Sequence, residues 1–319
     1  IWDGLERALP DGEIGVNSLA RDMSKMLVSV SSDVDPGSVY LYEVAEGKAT
    51  LQYRSRPELP SEHLAPMKPV RFTARDGRTI YGYVTTPKGV EAKNLPTVMY
   101  IHGGPWARDY WGYDPYAQFL ANRGYAVMQV NYRGSSGYGK DYLNAGNKEW
   151  GIGAMQHDIT DAVQYLVDEG IADPAKVGIV GFSAGGHLAT AVSVLASDNP
   201  DERPDFSALI YPVTTIEPQN REWLEKTLFH RLMTEAEIRQ YSLVDQVDAS
   251  TPPAFLLHAY DADVVPITES TRNAEALTAA GQAVEVHFFP HGGHGFGPGR
   301  VEDGTDQWLG LLATWIKRQ

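Results

Sequence analysis

The sequence predicts an α/β protein with a mostly parallel sheet and helices on both faces, preceded by a small N-terminal β-meander. Two patterns in the chain of 319 residues support this prediction. Residues 1–66 carry short apolar runs separated by turn clusters such as Asp35-Pro36-Gly37, which is typical of antiparallel strands. From about residue 70 onward, strand-like and helix-like segments alternate, as they do in proteins built on parallel sheets.

The N-terminal segment and the main domain are predicted to meet at a linker. Strands are expected at residues 26–30, 39–44 and 49–53. Residues 57–69 then contain several prolines, which fix the backbone and withhold hydrogen-bond donors from a sheet. We therefore divide the chain into a β segment at 1–66 and an α/β domain at 67–319.

Six strands of the α/β domain are predicted from apolar runs, at residues 97–101, 126–130, 177–180, 208–211, 254–258 and 284–289. The best helix follows the second of these strands. Its apolar residues Ile159, Ala162, Val163, Leu166 and Val167 recur at helical spacing and form one stripe that should face the sheet. Residues 217–245 carry a second amphipathic pattern, which we interpret as a helical excursion with either a packing or a lid role.

Composition limits the partners that the chain can have. A net charge of −14 repels phosphate backbones and anionic lipid, so nucleic acid and acidic membrane surfaces are poor partners. The absence of cysteine removes thiol catalysis, thiolate metal sites and disulfides, and no apolar run is long enough to cross a bilayer. We expect a protein outside the membrane, with the cytoplasm favoured, and composition leaves oligomerisation open. The start at Ile1, without an initiator methionine, is expected for a processed or trimmed chain.

One motif carries most of the chemical information. An apolar strand is followed by Gly181-Phe182-Ser183-Ala184-Gly185-Gly186 and then by a helix-compatible run at 187–196. A strand that enters a helix through such a tight turn raises the middle residue above the sheet, and the flanking glycines avoid clashes. The pattern predicts Ser183 as a nucleophile in an α/β-hydrolase fold; the alternative is a glycine-rich helix N-terminus.

A serine hydroxyl needs a base and a group that orients the base. In this fold the acid and then the histidine follow the serine, on loops after later strands. His294 lies in a glycine-rich loop after the last strand and is the predicted base, whereas His291 is expected to be an ordinary loop residue. Asp261 and Asp263 both follow the strand at 254–258, and we favour Asp261 as the acid. Either aspartate could instead cap the helix that begins near Pro266.

Donors for an oxyanion are expected on two loops. The backbone N–H of Ala184 is the first donor, because it follows the nucleophile directly. The second is expected from Gly104, in the loop after residue 101, where glycine permits close approach to substrate. The Tyr138 hydroxyl could add a donor or replace one; the alternative is that Tyr138 is an aromatic wall.

From about residue 9 to residue 165 the chain resembles the acylaminoacyl-peptidase branch of the prolyl oligopeptidase family. The resemblance depends on five segments: 65–70, His102-Gly103-Gly104-Pro105-Trp106, 124–127, Asn131-Tyr132-Arg133-Gly134-Ser135 and Gly137-Tyr138-Gly139. It implies that a β-propeller precedes the hydrolase domain and screens out large substrates. Residues 1–66 would then be the last piece of such a propeller.

The C-terminal half is more similar to microbial acetyl and feruloyl esterases that act on plant polysaccharides. This resemblance depends on segments 181–189, 210–213, 241–243, His258-Ala259-Tyr260-Asp261 and 292–297. The peptidases usually have Tyr where this chain has Ala184. The esterases commonly have two adjacent aspartates where this chain reads Asp261-Ala262-Asp263, and the resemblance favours the first aspartate as the acid.

These observations predict a serine hydrolase that needs no cofactor and no metal. Ester bonds are favoured, because an amide requires tighter positioning than a propeller fragment would supply; the alternative is a serine peptidase acting on short peptides. A metal hydrolase using His287, His291 and His294 is a rival, but these residues lack the helical spacing of a zinc site. A noncatalytic binding module on the same fold is the rival outside enzymes.

Overall fold

Two sheets organise the chain. In a computed structural model, the structure describes residues 1–104, 106–147, 149, 151–195, 202–216 and 218–319. A four-stranded sheet comes first, and an eight-stranded sheet contains the later strands. The strands of the first sheet end at Arg54 and those of the second begin at Met67, on either side of the predicted boundary at residue 66.

The first sheet is an antiparallel meander, as the sequence predicts. Its strands are β1 (Glu13–Leu19), β2 (Lys25–Ser32), β3 (Asp35–Glu43) and β4 (Lys48–Arg54), paired in chain order. Helix α1 (Trp2–Ala8) lies against one face, where Leu5 packs with Val28 and Tyr42. Neither α1 nor β1 is predicted from the sequence.

The second sheet is mostly parallel. Its strands are β5 (Met67–Thr73), β6 (Thr79–Thr85), β7 (Leu95–Ile101), β8 (Ala126–Asn131), β9 (Ala172–Phe182), β10 (Phe206–Ile210), β11 (Ala254–Ala259) and β12 (Val284–Phe289). They lie in the order β12-β11-β10-β9-β7-β8-β6-β5, and β6 runs antiparallel to both of its neighbours. The predicted linker at 57–69 runs too far, because β5 begins at Met67 and holds Pro69 in an edge strand, where no partner is lost.

Helices cover both faces of this sheet. They are α2 (Pro115–Ala121), α3 (Lys140–Asn144), α4 (Ala154–Asp168), α5 (Ala184–Val194), α6 (Pro218–Leu224), α7 (Glu235–Tyr241), α8 (Thr268–Ala279) and α9 (Trp308–Ile316). The predicted stripe on α4 faces the sheet, with Ile159, Ala162 and Leu166 fully buried. Among the described residues, no helix has the length and apolarity needed to span a bilayer.

The core has two layers, one on each side of the sheet. Alternation along the strands separates them: Met99 and Ile101 pack with α4 residues, whereas Val98 and Tyr100 pack on the opposite side with Trp308. Because β7 to β12 are parallel, the loops that follow them emerge at one edge of the sheet. This edge brings together segments that are far apart in the sequence.

The excursion after β10 is built from α6, a π-helical turn (Glu225–Phe229) and α7. Its first predicted residue, 217, lies outside the described residues. Leu228 and Tyr241 are buried against the main core, and the buried carboxylate of Glu269 on α8 binds the backbone N–H groups of Thr214 and Thr215 at its base. The excursion is therefore packed on the domain, and its lid role stays a prediction.

Candidate active site

Ser183 lies on a strained turn between β9 and α5. Its backbone has φ +54° and ψ −119°, which a residue with a side chain rarely adopts. The Ser183 N–H donates to the Ile210 carbonyl at 3.0 Å, so the neighbouring strand holds the turn in place. A Cβ on Gly181 would lie 2.3 Å from the Gly185 carbonyl oxygen, and a Cβ on Gly185 would lie 2.3 Å from the Ile101 carbonyl oxygen. The glycines are thus required by close backbone approach, as the motif indicates.

His294 reaches Ser183 from the loop after β12. Its Nε2 lies 2.9 Å from Ser183 Oγ, although the two residues are 111 positions apart. The imidazole ring packs edge-on against Tyr211, with ring centroids 4.8 Å apart. Burial lowers the pKa of His294 below its ordinary value, and the charge of Asp263 partly opposes this effect. A neutral imidazole can accept the serine proton through Nε2.

Neither predicted acid hydrogen-bonds to His294. Asp261 Oδ1 accepts the Gly293 N–H at 2.7 Å, and this bond lowers the pKa of Asp261. Asp263 is exposed and acts on His294 through its charge. The buried Nδ1 of His294 has no hydrogen-bond partner within the described part of the chain. The structure thus joins Ser183 to His294 and leaves the assignment of the acid a prediction.

The alternative role for these aspartates, capping a helix, has no support from the geometry. Helix α8 begins at Thr268, and its N-cap residue Ile267 has no side-chain cap. The loop is instead fixed by His258, a fully buried residue near the end of β11. Its Nε2 donates to the Val265 carbonyl at 2.9 Å, and its Nδ1 accepts from the Ser270 hydroxyl at 2.8 Å. Burial lowers the pKa of His258 to about 4, so it stays neutral. Sequence reasoning missed this role, although a histidine inside an apolar strand is its signal.

Of the predicted oxyanion donors, Ala184 adjoins the nucleophile, and the role of Gly104 stays a prediction. Ala184 is the first residue of α5, so its N–H has no carbonyl one turn earlier in the helix to bind. The loop after β7 approaches closely, since a Cβ on Gly103 would lie 3.1 Å from Ser183 Cβ. Gly104 follows at φ +64°, a backbone conformation that favours glycine.

Tyr138, the third candidate donor, is engaged elsewhere. Its hydroxyl accepts from Asn131 Nδ2 at 2.8 Å and from Arg108 Nη2 at 3.0 Å. Its ring stacks on Tyr81 at 4.6 Å. No hydrogen bond joins Tyr138 to Ser183 or His294 in the described residues. These contacts favour the aromatic-wall alternative, and the donor role stays a prediction.

The loop that carries Tyr138 is anchored by a buried ion pair that sequence reasoning missed. Arg133 donates from Nε and Nη2 to both oxygens of Asp158 on α4, at 2.9 and 2.7 Å. It also reaches Asp76 at 2.6 Å, and this bond lowers the pKa of Asp76 to about 2. Tyr132 of the same segment donates to the His102 carbonyl at 3.0 Å. The ion pair therefore supports the loop of Gly103 and Gly104.

The three histidines of the rival metal site have separate partners. His287 Nε2 lies 2.9 Å from Glu285 Oε1, and His291 Nδ1 lies 3.5 Å from Asp261 Oδ2. His294 is hydrogen-bonded to the Ser183 hydroxyl. Within the described ranges, no group of three or more His, Cys, Asp or Glu residues could hold a metal ion.

The site joins a hydroxyl raised on a strained turn, an imidazole within hydrogen-bond distance of it, and the free backbone N–H of Ala184 at the start of α5. On this sheet, they define a serine hydrolase of the α/β-hydrolase class. The chain belongs to the prolyl oligopeptidase family, whose model matches residues 111–319.

Both a known peptidase and a known esterase are similar to this chain. Dipeptidyl aminopeptidase BIII of Pseudoxanthomonas mexicana is 34% identical over 305 residues, covering 91% of this chain and 44% of the relative. An acetylxylan esterase of Xylanibacter ruminicola is 32% identical over 213 residues, covering 63% of this chain and 40% of the relative. The chain thus spans less than half the length of either curated relative.

Solved structures agree on the fold. A puromycin-hydrolyzing peptidase of Mycobacterium tuberculosis has a TM-score of 0.78 and 26% identity, over 93% of this chain and 46% of that one. An acylaminoacyl peptidase bound to a chloromethyl ketone has a TM-score of 0.81 over 98% of this chain and 50% of that one. At 20% identity, this second similarity shows the fold alone.

Proposed function

We propose that this chain is the catalytic part of a serine peptidase that cleaves amide bonds of short peptides, with Ser183 as nucleophile and His294 as general base. The observation that carries the proposal is the 2.9 Å contact between Ser183 Oγ and His294 Nε2 on a strained strand-to-helix turn. The peptidase relative that covers 91% of the chain supports amides as the first substrate class.

The reaction follows from the geometry in two halves. Ser183 Oγ attacks the carbonyl carbon as its proton passes to His294 Nε2. The N–H groups of Ala184 and Gly104 receive the developing oxyanion. The imidazolium then returns the proton to the leaving amine, which departs and leaves an acyl-serine. Water then attacks this ester as His294 takes its proton, and the imidazolium returns that proton to Ser183 Oγ as the bond to the acyl carbon breaks and the acid is released.

An esterase is the second candidate, and the acetylxylan esterase relative favours it. The two functions share every residue of the mechanism above. They differ in the leaving group, because an alkoxide leaves with little help whereas an amine must be protonated first. The preference for esters expected from the sequence therefore remains a prediction that only substrate turnover can decide.

Labelling with a fluorophosphonate tests the nucleophile. We expect the wild-type chain to be labelled, Ser183→Ala to lose labelling and turnover completely, and Ser18→Ala on an exposed strand to match wild type. Labelling that persists in Ser183→Ala, or wild-type protein that is never labelled, would contradict the proposal.

Substrate turnover tests the choice between peptidase and esterase. Aminoacyl p-nitroanilides should be turned over with a higher kcat/KM than acetylated xylan, and the reverse order would support the esterase.

A further inference from the structure

We propose that Asp261 is a positioning residue for the general base: its carboxylate binds the backbone of the loop that carries His294 and does not bind the imidazole itself. This inference rests on the proposed function, because it concerns how the general base of that reaction is held.

The first observation is the position of the Asp261 carboxylate. Oδ1 accepts the N–H of Gly293, the residue directly before His294, at 2.7 Å. Oδ2 lies 3.5 Å from His291 Nδ1 on the same loop. Gly293 has φ +70°, a conformation open to glycine, and glycine has a wider range of backbone conformations than other residues. A carboxylate bound to this backbone restricts that freedom and thereby fixes where the imidazole points.

The second observation is the unpartnered Nδ1 of His294. Since Nε2 accepts the serine hydroxyl, the proton of the neutral ring resides on Nδ1. That atom is buried and has no acceptor among the described residues. A triad acid would occupy this place, whereas the Asp261 carboxylate lies against Gly293 and His291.

The charges near the imidazole are a supporting observation. Tyr211 packs on the ring and is neutral at neutral pH, since burial raises its pKa. Burial lowers the pKa of His258 to about 4, so it is neutral too. The charge of Asp263 raises the pKa of His294 and partly opposes the effect of burial.

Substitution by asparagine separates this arrangement from a conventional triad. The carbonyl oxygen of an asparagine at 261 can still accept the Gly293 N–H, so we expect kcat/KM of Asp261→Asn to stay within about three-fold of wild type. Asp261→Ala removes the acceptor, and we expect a loss of about ten-fold or more. A true triad acid behaves differently, because its conversion to asparagine lowers the rate by about 10⁴-fold.

The pH profile provides a readout that a structural role would not move. His294 must be unprotonated to accept the serine proton, so kcat/KM falls as pH drops through its pKa. Burial lowers that pKa, which places the wild-type acid limb below the ordinary value of 6.5. Because the charge of Asp263 raises the pKa of His294, we expect Asp263→Asn to move the limb to still lower pH. Asp261→Asn should leave the limb in place.

The variants are compared on one p-nitroanilide, with Glu302→Ala as a control for an exposed carboxylate on the segment after the histidine loop. Equal losses near 10⁴-fold in Asp261→Asn and Asp261→Ala would make Asp261 a triad acid and overturn the proposal. Unchanged activity in Asp261→Ala would also overturn it. Fluorophosphonate labelling of wild-type protein separates these outcomes from failure of the hydrolase function itself.

Discussion

Single residues at the site are constrained mainly by backbone conformation. Ser183 has a positive φ because its turn must lift the hydroxyl above the sheet, and Gly104 has φ +64° in the loop that faces it. An added Cβ at Gly104 would make no clash among the described residues, since its nearest atom, Ala107 Cβ, would lie at 3.4 Å in ordinary van der Waals contact. Conformation rather than crowding therefore makes glycine necessary at 104.

Replacing Gly104 by alanine should thus harm catalysis more than folding. We expect a stability loss of about 1–2 kcal/mol from the positive φ, and a fall in kcat of about 10²-fold as the amide shifts away from the oxyanion. Gly89→Ala is the matched control, because Gly89 has φ +76° and open space at an exposed turn. Both variants should unfold at similar temperatures, and only Gly104→Ala should lose turnover. Equal activity in the two variants would remove Gly104 from the oxyanion site.

At the scale of elements, buried polar contacts hold the loops around the nucleophile. The guanidinium of Arg133 ties the segment after β8 to α4 through Asp158 and to the turn before β6 through Asp76. Asp158 is fully buried, so its charge depends on this one cation. The loop with Tyr132 and the loop with His102 are thereby held together.

Removal of the Arg133 charge should therefore destabilise the folded protein strongly. We expect Arg133→Met to lower the free energy of unfolding by about 3–5 kcal/mol, because it leaves the buried Asp158 carboxylate with a backbone N–H and no cation. Lys25→Met breaks the exposed pair between Lys25 and Glu43 and should change stability by no more than about 1 kcal/mol. Urea denaturation of both variants measures the difference. Similar midpoints for the two would show that the buried pair contributes no more than a surface pair.

The elements that the sequence predicts are those with strong local patterns. The stripe on α4 and the glycines around Ser183 are recognisable within a few consecutive residues, and both predictions of structure are confirmed. Helix α1 and strand β1 escape prediction, because α1 has Leu5 as its one buried residue and β1 is an edge strand with no fully buried position. Their stability comes from packing on β2 and β3, which no local pattern shows.

At the scale of the whole molecule, topology explains which parts of the site are predictable. Parallel strands bring the loops with Gly104, Ser183 and His294 to one edge, so strand order and motif are enough to place them. The hydrogen-bond partner of Asp261 cannot be predicted in the same way. Whether a carboxylate meets Nδ1 of His294 or the N–H of Gly293 depends on a few loop dihedral angles, which the sequence around Ala262 does not determine.

A buried amide side chain is one of the contacts that join the two sheets, alongside the bond from the Met67 N–H to Asp33 Oδ2. Gln118 on α2 is 7% exposed; its Oε1 accepts the Ala65 N–H at 2.8 Å. Its Nε2 donates to the carbonyls of Ala65 at 2.7 Å and of Asp33 at 3.1 Å. Because Asp33 lies between β2 and β3, this side chain connects the N-terminal meander to the main domain through the segment that links them.

Loss of this amide should therefore loosen the connection between the sheets. Gln118→Ala leaves three backbone groups without their partner, and we expect a loss of stability of about 1–3 kcal/mol. The connecting segment should also open more often, so the glutamate-specific protease Glu-C should cut after the exposed Glu58 faster than in wild type. Gln52→Ala on the exposed strand β4 is the control and should be cut at the wild-type rate. If both variants are cut at that rate while Gln118→Ala still unfolds more easily, Gln118 stabilises the main domain without coupling the meander to it.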